Sequence, residues 1–165
     1  MSATAAYLKL TTQKLGEIKG TARQKGREGL ILVMAVNHEV ASLIDIATGN
    51  PRGKRQHQPM VITKEVDNST PILNQIMVEN IPITEAVLSF YGPDPANTFT
   101  GQETNTYSII LRNVSITRIE ITLHNLLEDQ KRNANLVERV SFIYKQIEWK
   151  WTNGNISATD SWEVS

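Results

Sequence analysis

The chain has no cysteine, only three histidines and no excess charge of either sign, with 17 Lys+Arg against 17 Asp+Glu in 165 residues. Without cysteine there is no disulfide framework, no thiolate nucleophile and no cysteine-ligated zinc or iron–sulfur site. A balanced charge removes the long-range attraction that drives sequence-independent binding to nucleic acid or to an anionic membrane. No run of about 18 apolar residues occurs, so no membrane insertion by a helix is expected. The first ten residues lack the basic stretch and apolar run of a secretory signal. The chain is therefore expected to be made as a soluble cytoplasmic protein and, if exported, to leave by a route that reads a folded protein. Its length fits a single domain, 1–165, with a core that needs no metal or disulfide staple.

Residue types that carry chemistry do not converge. His38, His57 and His124 have no spacing that would complete a metal site with a carboxylate. Glu120 and His124 lie on one strand face, but about 13 Å apart at a rise of about 3.3 Å per residue. Glu128 and Asp129 sit beside Lys131 and Arg132 in what reads as a solvated turn of mixed charge. Gly16, Gly20 and Gly26 have the wrong spacing for a phosphate or dinucleotide loop, and no nucleophile-elbow motif is present. Arg52, Lys54 and Arg55 form a small basic cluster without interleaved aromatics, which favours a contact to another loop or an acid over a nucleic-acid groove. Three Asn-x-Ser/Thr triplets, at Asn68, Asn113 and Asn155, carry no weight without an export signal. Trp149, Trp151 and Trp162 read as core or interface anchors before they read as the lining of a ligand cavity. No catalytic residue, metal ligand or cofactor is expected.

The periodicity is mostly that of β-structure. Tyr7–Leu10 alternates, the polar stretch from Thr11 to Glu28 is broken by glycines and reads as loop, and Leu30–Val40 is apolar enough to read as a strand buried on both sides. Ala41–Gln58 contains turn signals at Thr48-Gly49-Asn50-Pro51, and reads as a long hairpin-like loop. Its Leu43, Ile44 and Ile46 are out of place in a disordered linker and are expected to meet a partner surface. The basic turn at Arg52, Lys54 and Arg55 is expected to point the same way.

Met60–Val66 is the next strand, with Met60, Ile62 and Val66 sharing a face. His57, Lys64, Asp67 and Ser69 fall in different structural contexts and do not converge by spacing. Thr70-Pro71 reads as a helix start, the Thr70 hydroxyl capping and Pro71 taking the first helical position. A short helix then runs to about Glu79, with Ile72, Leu73, Ile76 and Met77 on one stripe that must pack on a sheet or plug a barrel end. Strand-like runs follow at Thr84–Tyr91, Thr106–Leu111, Val114–His124 and Val137–Trp151. The apolar parity switches near Thr117-Arg118, and again between Tyr144 and Ile147, which points to bulges or corners in a curved sheet: a barrel or a rolled sandwich.

Gln58-Pro59-Met60-Val61-Ile62-Thr63-Lys64-Glu65-Val66-Asp67-Asn68-Ser69-Thr70-Pro71-Ile72-Leu73 resembles the strand-and-helix signature of the Hcp family, the haemolysin-coregulated proteins of bacterial type VI secretion systems. Tyr7-Leu8-Lys9-Leu10 is similar to the family's first strand, Val36-Asn37-His38-Glu39-Val40 to its second, and Val140–Trp149 with Asp160-Ser161-Trp162 to its closing strand and tail. One stretch departs: many relatives are acidic before the second strand, whereas Lys25-Gly26-Arg27-Glu28-Gly29 is largely basic.

The resemblance implies a mainly β fold, a β-barrel of two antiparallel sheets with one short α-helix and a long extended loop. It implies no enzyme activity but a structural subunit, a homohexameric ring whose rings stack into a secretion tube. Its partners would be further copies of itself, a spike protein at the tube tip, a contractile sheath around the tube and small effector proteins in the lumen. On this reading Leu43, Ile44, Ile46, Arg52, Lys54 and Arg55 serve ring stacking, sheet edges serve ring closure, and the protein is secreted on contraction. A contractile phage-type tail-tube subunit would look the same in sequence, and a monomeric ligand-binding β-barrel is the reading from a different class.

Overall fold

The computed structural model describes residues 4–53, 55–94, 96, 102–125, 127 and 136–162. In chain order the elements are β1 (Ala5–Thr12), β2 (Gly16–Ile18), β3 (Ile31–Val33), β4 (Ala35–Asn37), β5 (Val40–Ala41), β6 (Gln56–His57), β7 (Met60–Glu65), α1 (Thr70–Val78), β8 (Ile83–Pro93), β9 (Glu103–Thr122), β10 (Val137–Trp151) and β11 (Ile156–Ser161). Nine strands form one antiparallel sheet in the order β2-β1-β8-β9-β10-β7-β4, with β3 on β1 and β11 on β10, while β5 and β6 form a second, two-stranded sheet.

The large sheet rolls into a barrel. Residues 31–37 change partner midway: β3 pairs with β1 and β4 with β7. Met34, between them, donates its backbone N–H to Thr63 O at 2.7 Å. Leu30–Val40 is thus broken into β3, β4 and the start of β5 rather than one strand buried on both sides. Ile31 and Val33 point inward, and Leu32 and Met34 lie exposed on the outer face. A segment that bridges two sheet margins twists too sharply to remain one ladder.

Alternation fills the interior. Leu8, Leu88, Leu111 and Phe142, from four different strands, are all fully buried, which is the packing a small barrel requires. The 20-residue β9 joins what read as two runs, and its bulge lies where the parity switch put it. Ser141 pairs with Arg118 and Phe142 with Ile116, leaving Thr117 as the extra residue. A corner crosses three adjacent strands together. The buried side changes between Ile83 and Ala86 on β8, Leu111 and Val114 on β9, and Tyr144 and Ile147 on β10, with Asn113 at φ 54° in the bend.

The stretch between Thr11 and Glu28 is not all loop, since β2 folds back on β1. Gly20 is required there, because a Cβ would stand 2.6 Å from Leu30 O. The basic departure at Lys25–Gly29 is only partly surface charge: the Arg27 guanidinium lies 4.4 Å from the Tyr91 ring centroid and bonds Glu103 at 3.0 Å.

Helix α1 closes one end, with Leu73 and Ile76 buried and Ile72 and Met77 packed against the core. Ser69 is the N-cap residue, Thr70 is the first helical residue and Pro71 follows it. The Thr70 hydroxyl accepts a hydrogen bond from Asp67 N–H, before the helix, and not from the first turn. Asn80 at φ 52° ends the helix, and Ile81 N–H reaches back to Ile76 O at 2.9 Å.

Candidate assembly surface and its anchor

Between β4 and β7 the chain leaves the barrel as a ribbon. Val40 pairs with His57 and Ala41 with Gln56, and further out Arg52 N–H donates to Leu43 O at 2.6 Å beside an Ile44–Pro51 bridge. The tip closes through Asp45, whose carbonyl accepts Gly49 N–H at 2.7 Å while its own N–H donates to Asn50 O at 2.8 Å. The hairpin-like loop expected from the turn residues is therefore hydrogen-bonded along its length. Leu43, Ile44 and Ile46 are exposed on it, Ile46 at 99% of its free surface. Covering such groups is worth about 1.5–3 kcal/mol each, a driving force for a partner to seat there. Arg52 is exposed on the same ribbon, and Lys54 lies outside the described residues.

Arg55 turns the other way. Its guanidinium makes a two-pronged contact with the Asp160 carboxylate of the same chain, Nε to Oδ2 at 2.6 Å. Next to it His57 is buried, with Nε2 2.8 Å from Asp160 Oδ2 and Nδ1 2.8 Å from the Tyr144 hydroxyl. Trp162 stacks on the His57 ring at 5.6 Å and meets Tyr144 edge-on at 5.2 Å. On the opposite ribbon root, His38 Nε2 accepts a hydrogen bond from Trp149 Nε1–H at 3.1 Å. Both roots of the ribbon are thus tied to β10 and β11.

Asp160, His57 and Tyr144 have the connectivity of an acid–imidazole–hydroxyl relay, but not its chemistry. Tyr144 is only 2% exposed, and burial, assisted by the Asp160 charge, pushes its phenol well above the ordinary tyrosine range. A buried hydroxyl that holds its proton so firmly presents no nucleophile to a substrate. The trio is a latch.

The hydrogen bonds from Arg55, then His57, hold Asp160 far below its ordinary value of 3.8 against the opposing effect of burial. A depressed carboxylate stabilises the fold fully above its unfolded value, and that contribution is lost as pH falls through the folded one. Acid unfolding is therefore expected to steepen below about pH 4, and Asp160→Asn is expected to flatten that limb in denaturation curves recorded across pH. An unchanged limb would remove the latch from the acid response.

A second cluster lies under α1. Alternation places Lys64 on the same inward face as Met60 and Ile62, and it is 0% exposed. Its ammonium donates to Glu138 Oε1 at 2.6 Å, Glu65 O at 2.8 Å and Asp67 Oδ1 at 3.0 Å. The Thr70 hydroxyl donates to the same Glu138 oxygen at 2.9 Å, and Asp67 accepts from the Ser69 backbone N–H at 2.8 Å. Burial pushes Asp67 up, but the bonds from Ser69 and Lys64 outweigh it and hold the carboxyl below its ordinary value. Lys64, Asp67 and Ser69 therefore do converge, around Glu138 from β10, which sequence reasoning missed; only His57 goes elsewhere. The signal was available, because residues 60, 62 and 64 share a face, as do 138, 140 and 142. Glu128, Asp129, Lys131 and Arg132 fall outside the described residues.

Among the described residues no group of three or more metal-ligating side chains comes together. The two clusters fix a scaffold, and the ribbon is the part they leave in solvent.

Residues 7–151 match the family model described as type VI secretion system effector, Hcp. The chain is similar to the major exported protein of Pseudomonas aeruginosa, at 30% identity over 97% of this chain and 96% of that one. Among solved structures it is similar to Hcp1 from the E. coli EAEC 042 pathovar, with TM-score 0.83 and 30% identity over 97% and 99% of the two chains. It is also similar to the secreted protein Hcp3 from Pseudomonas aeruginosa, with TM-score 0.74 and 25% identity over 98% and 100%.

Proposed function

The chain belongs to the Hcp family of type VI secretion system proteins, and from that premise we propose that it is a structural subunit of the secretion tube. On this reading six copies close a ring and rings stack into a tube inside a contractile sheath, beneath a spike protein. Small effectors occupy the lumen, and the subunit is exported when the sheath contracts. The observation that carries the reading is the ribbon: a rigidly rooted hairpin whose Leu43, Ile44 and Ile46 have no cover within the described chain. Such a plug fits a surface elsewhere on an identical molecule, a heterologous contact that propagates along an axis instead of closing a dimer. Leu43, Ile44, Ile46 and Arg52 are assigned to ring stacking, with Lys54 beside them in the sequence; Arg55 serves it indirectly, by holding the ribbon root. The role is mechanical, and the latched tyrosine and buried lysine need no substrate.

Negative-stain microscopy and mass measurement of the purified protein test this. Annular particles of about six chain masses, stacking at high concentration, are expected. Monodisperse single chains under the same conditions would overturn it.

A further inference from the structure

Two of the three histidines stand at the two roots of the ribbon, and both pack on one tyrosine. His57 lies 5.4 Å and His38 6.5 Å from the Tyr144 ring centroid. Their hydrogen bonds make them respond differently to a proton. Trp149 Nε1 can only donate, so the His38 Nε2 facing it must be bare and the single ring proton must sit on Nδ1. A second proton would go on Nε2 and set two donors against each other across 3.1 Å. His38 Nδ1 is itself buried without a hydrogen-bond partner.

His57 has no such conflict. Its Nε2 faces the Asp160 carboxylate, and its Nδ1 faces a hydroxyl that can accept as readily as donate. Both of its ring nitrogens face groups that can accept.

We propose that the ribbon has a proton-operated hinge at its leading root: a second proton on His38 breaks the tie to Trp149, while the trailing root stays latched through His57, Asp160 and Arg55. The neighbouring charges do not offset a cation at His38. From β10 it is faced by Trp149 and Tyr144, and from β6 by His57. Asp160 on β11 is already engaged by Arg55 and His57, Glu148 is paired with Arg112, and Glu39 is exposed to water. Burial, then the His57 charge, hold the His38 imidazole below its ordinary 6.5, so the hinge opens on acidification below that value and is shut above it. The consequence for stacking rests on the ring-to-ring role of the ribbon, whereas the hinge itself does not.

Hydrogen exchange of the full chain at about pH 7.5 and about pH 5.5, corrected for intrinsic amide rates, tests the hinge. Residues 35–41, and Gln58, whose N–H is held by Glu39 O, are expected to lose protection about tenfold at the lower pH, while the β11 amides paired with β10 and Trp162 N–H on Lys145 O keep theirs. His38→Gln supplies an oxygen that can accept the Trp149 N–H and does not titrate, and it is expected to retain protection at both pH values. Equal loss on β11, or a His38→Gln protein as acid-sensitive as the parent, would overturn the proposal.

Sedimentation of stacked rings in the same buffers reads the consequence: stacks of the parent should disperse into rings at the lower pH and those of His38→Gln should persist. If no stacks form at the higher pH, the ring-to-ring role fails, and exchange at residues 35–41 still decides the hinge.

Discussion

Lys64→Met is expected to lower the unfolding free energy by about 3–5 kcal/mol, because it leaves the Glu138 carboxylate buried without its counter-charge. Glu138 is 0% exposed and one of its oxygens, Oε2, has no partner even with Lys64 in place. The lysine is the reason that carboxylate is tolerated, so removing one member is far worse than removing both. Lys64→Met with Glu138→Met should recover most of the loss, since a buried ion pair and a well-packed apolar pair of like volume differ little in net stability. Urea denaturation of the two variants measures both numbers. A loss below about 1 kcal/mol in the single variant, or a double variant as unstable as the single, would show that the cluster does not hold α1 to the barrel in this way. The damage would not be confined to the core. Thr70 and Asp67 take their orientation from the same lysine and glutamate, so the helix entry should loosen with it.

The second large effect falls on assembly. Replacing Leu43, Ile44 and Ile46 together by serine is expected to leave rings intact and to abolish their stacking. The three side chains contribute about 5 kcal/mol per ribbon when covered, a loss of more than about a thousandfold in affinity. Because all three are exposed in the subunit, the melting temperature should stay within about 2 °C of the parent. Tubes of normal length from the triple variant, seen by microscopy, would exclude the ribbon tip as the stacking contact. A variant that lost the rings as well would move the residues to ring closure instead.

Much of the architecture could be read from alternation. The barrel curvature was written in the parity switches at Thr117 and between Tyr144 and Ile147, because a side chain that changes face must be matched by a bend in the backbone. The apolar tip of the ribbon was also legible, since large aliphatic groups among turn residues have no local use. The latch was not. Arg55 and Asp160 are 105 residues apart, and no local pattern says that a basic turn will fold onto the chain's own tail. The strand β11 was hidden for a related reason: Ile156–Ser161 is nearly all small and polar, and it is a strand only because β10 offers it an edge. Lys64 is not legible as a core residue by type, because a lysine is almost never fully buried unless it is paired. Period two placed it inside, and Glu138 on the neighbouring strand supplied the reason it could stay there. The helix start was displaced by one residue because Ser69 and Thr70 both qualify by type, and the choice is made by Glu138, which draws the threonine hydroxyl away from the first turn.

The tail latch also orders events in time. Asp160 and Trp162 lie C-terminal to the ribbon and to β1–β10, so they leave the ribosome after them. A nascent chain can already have its ribbon sequence outside and its β1, β3 and β8 paired, yet have nothing to hold Arg55 and His57. The ribbon root is latched only once β11 has been made, so on the proposed stacking role an unfinished subunit would offer its neighbours an unanchored ribbon.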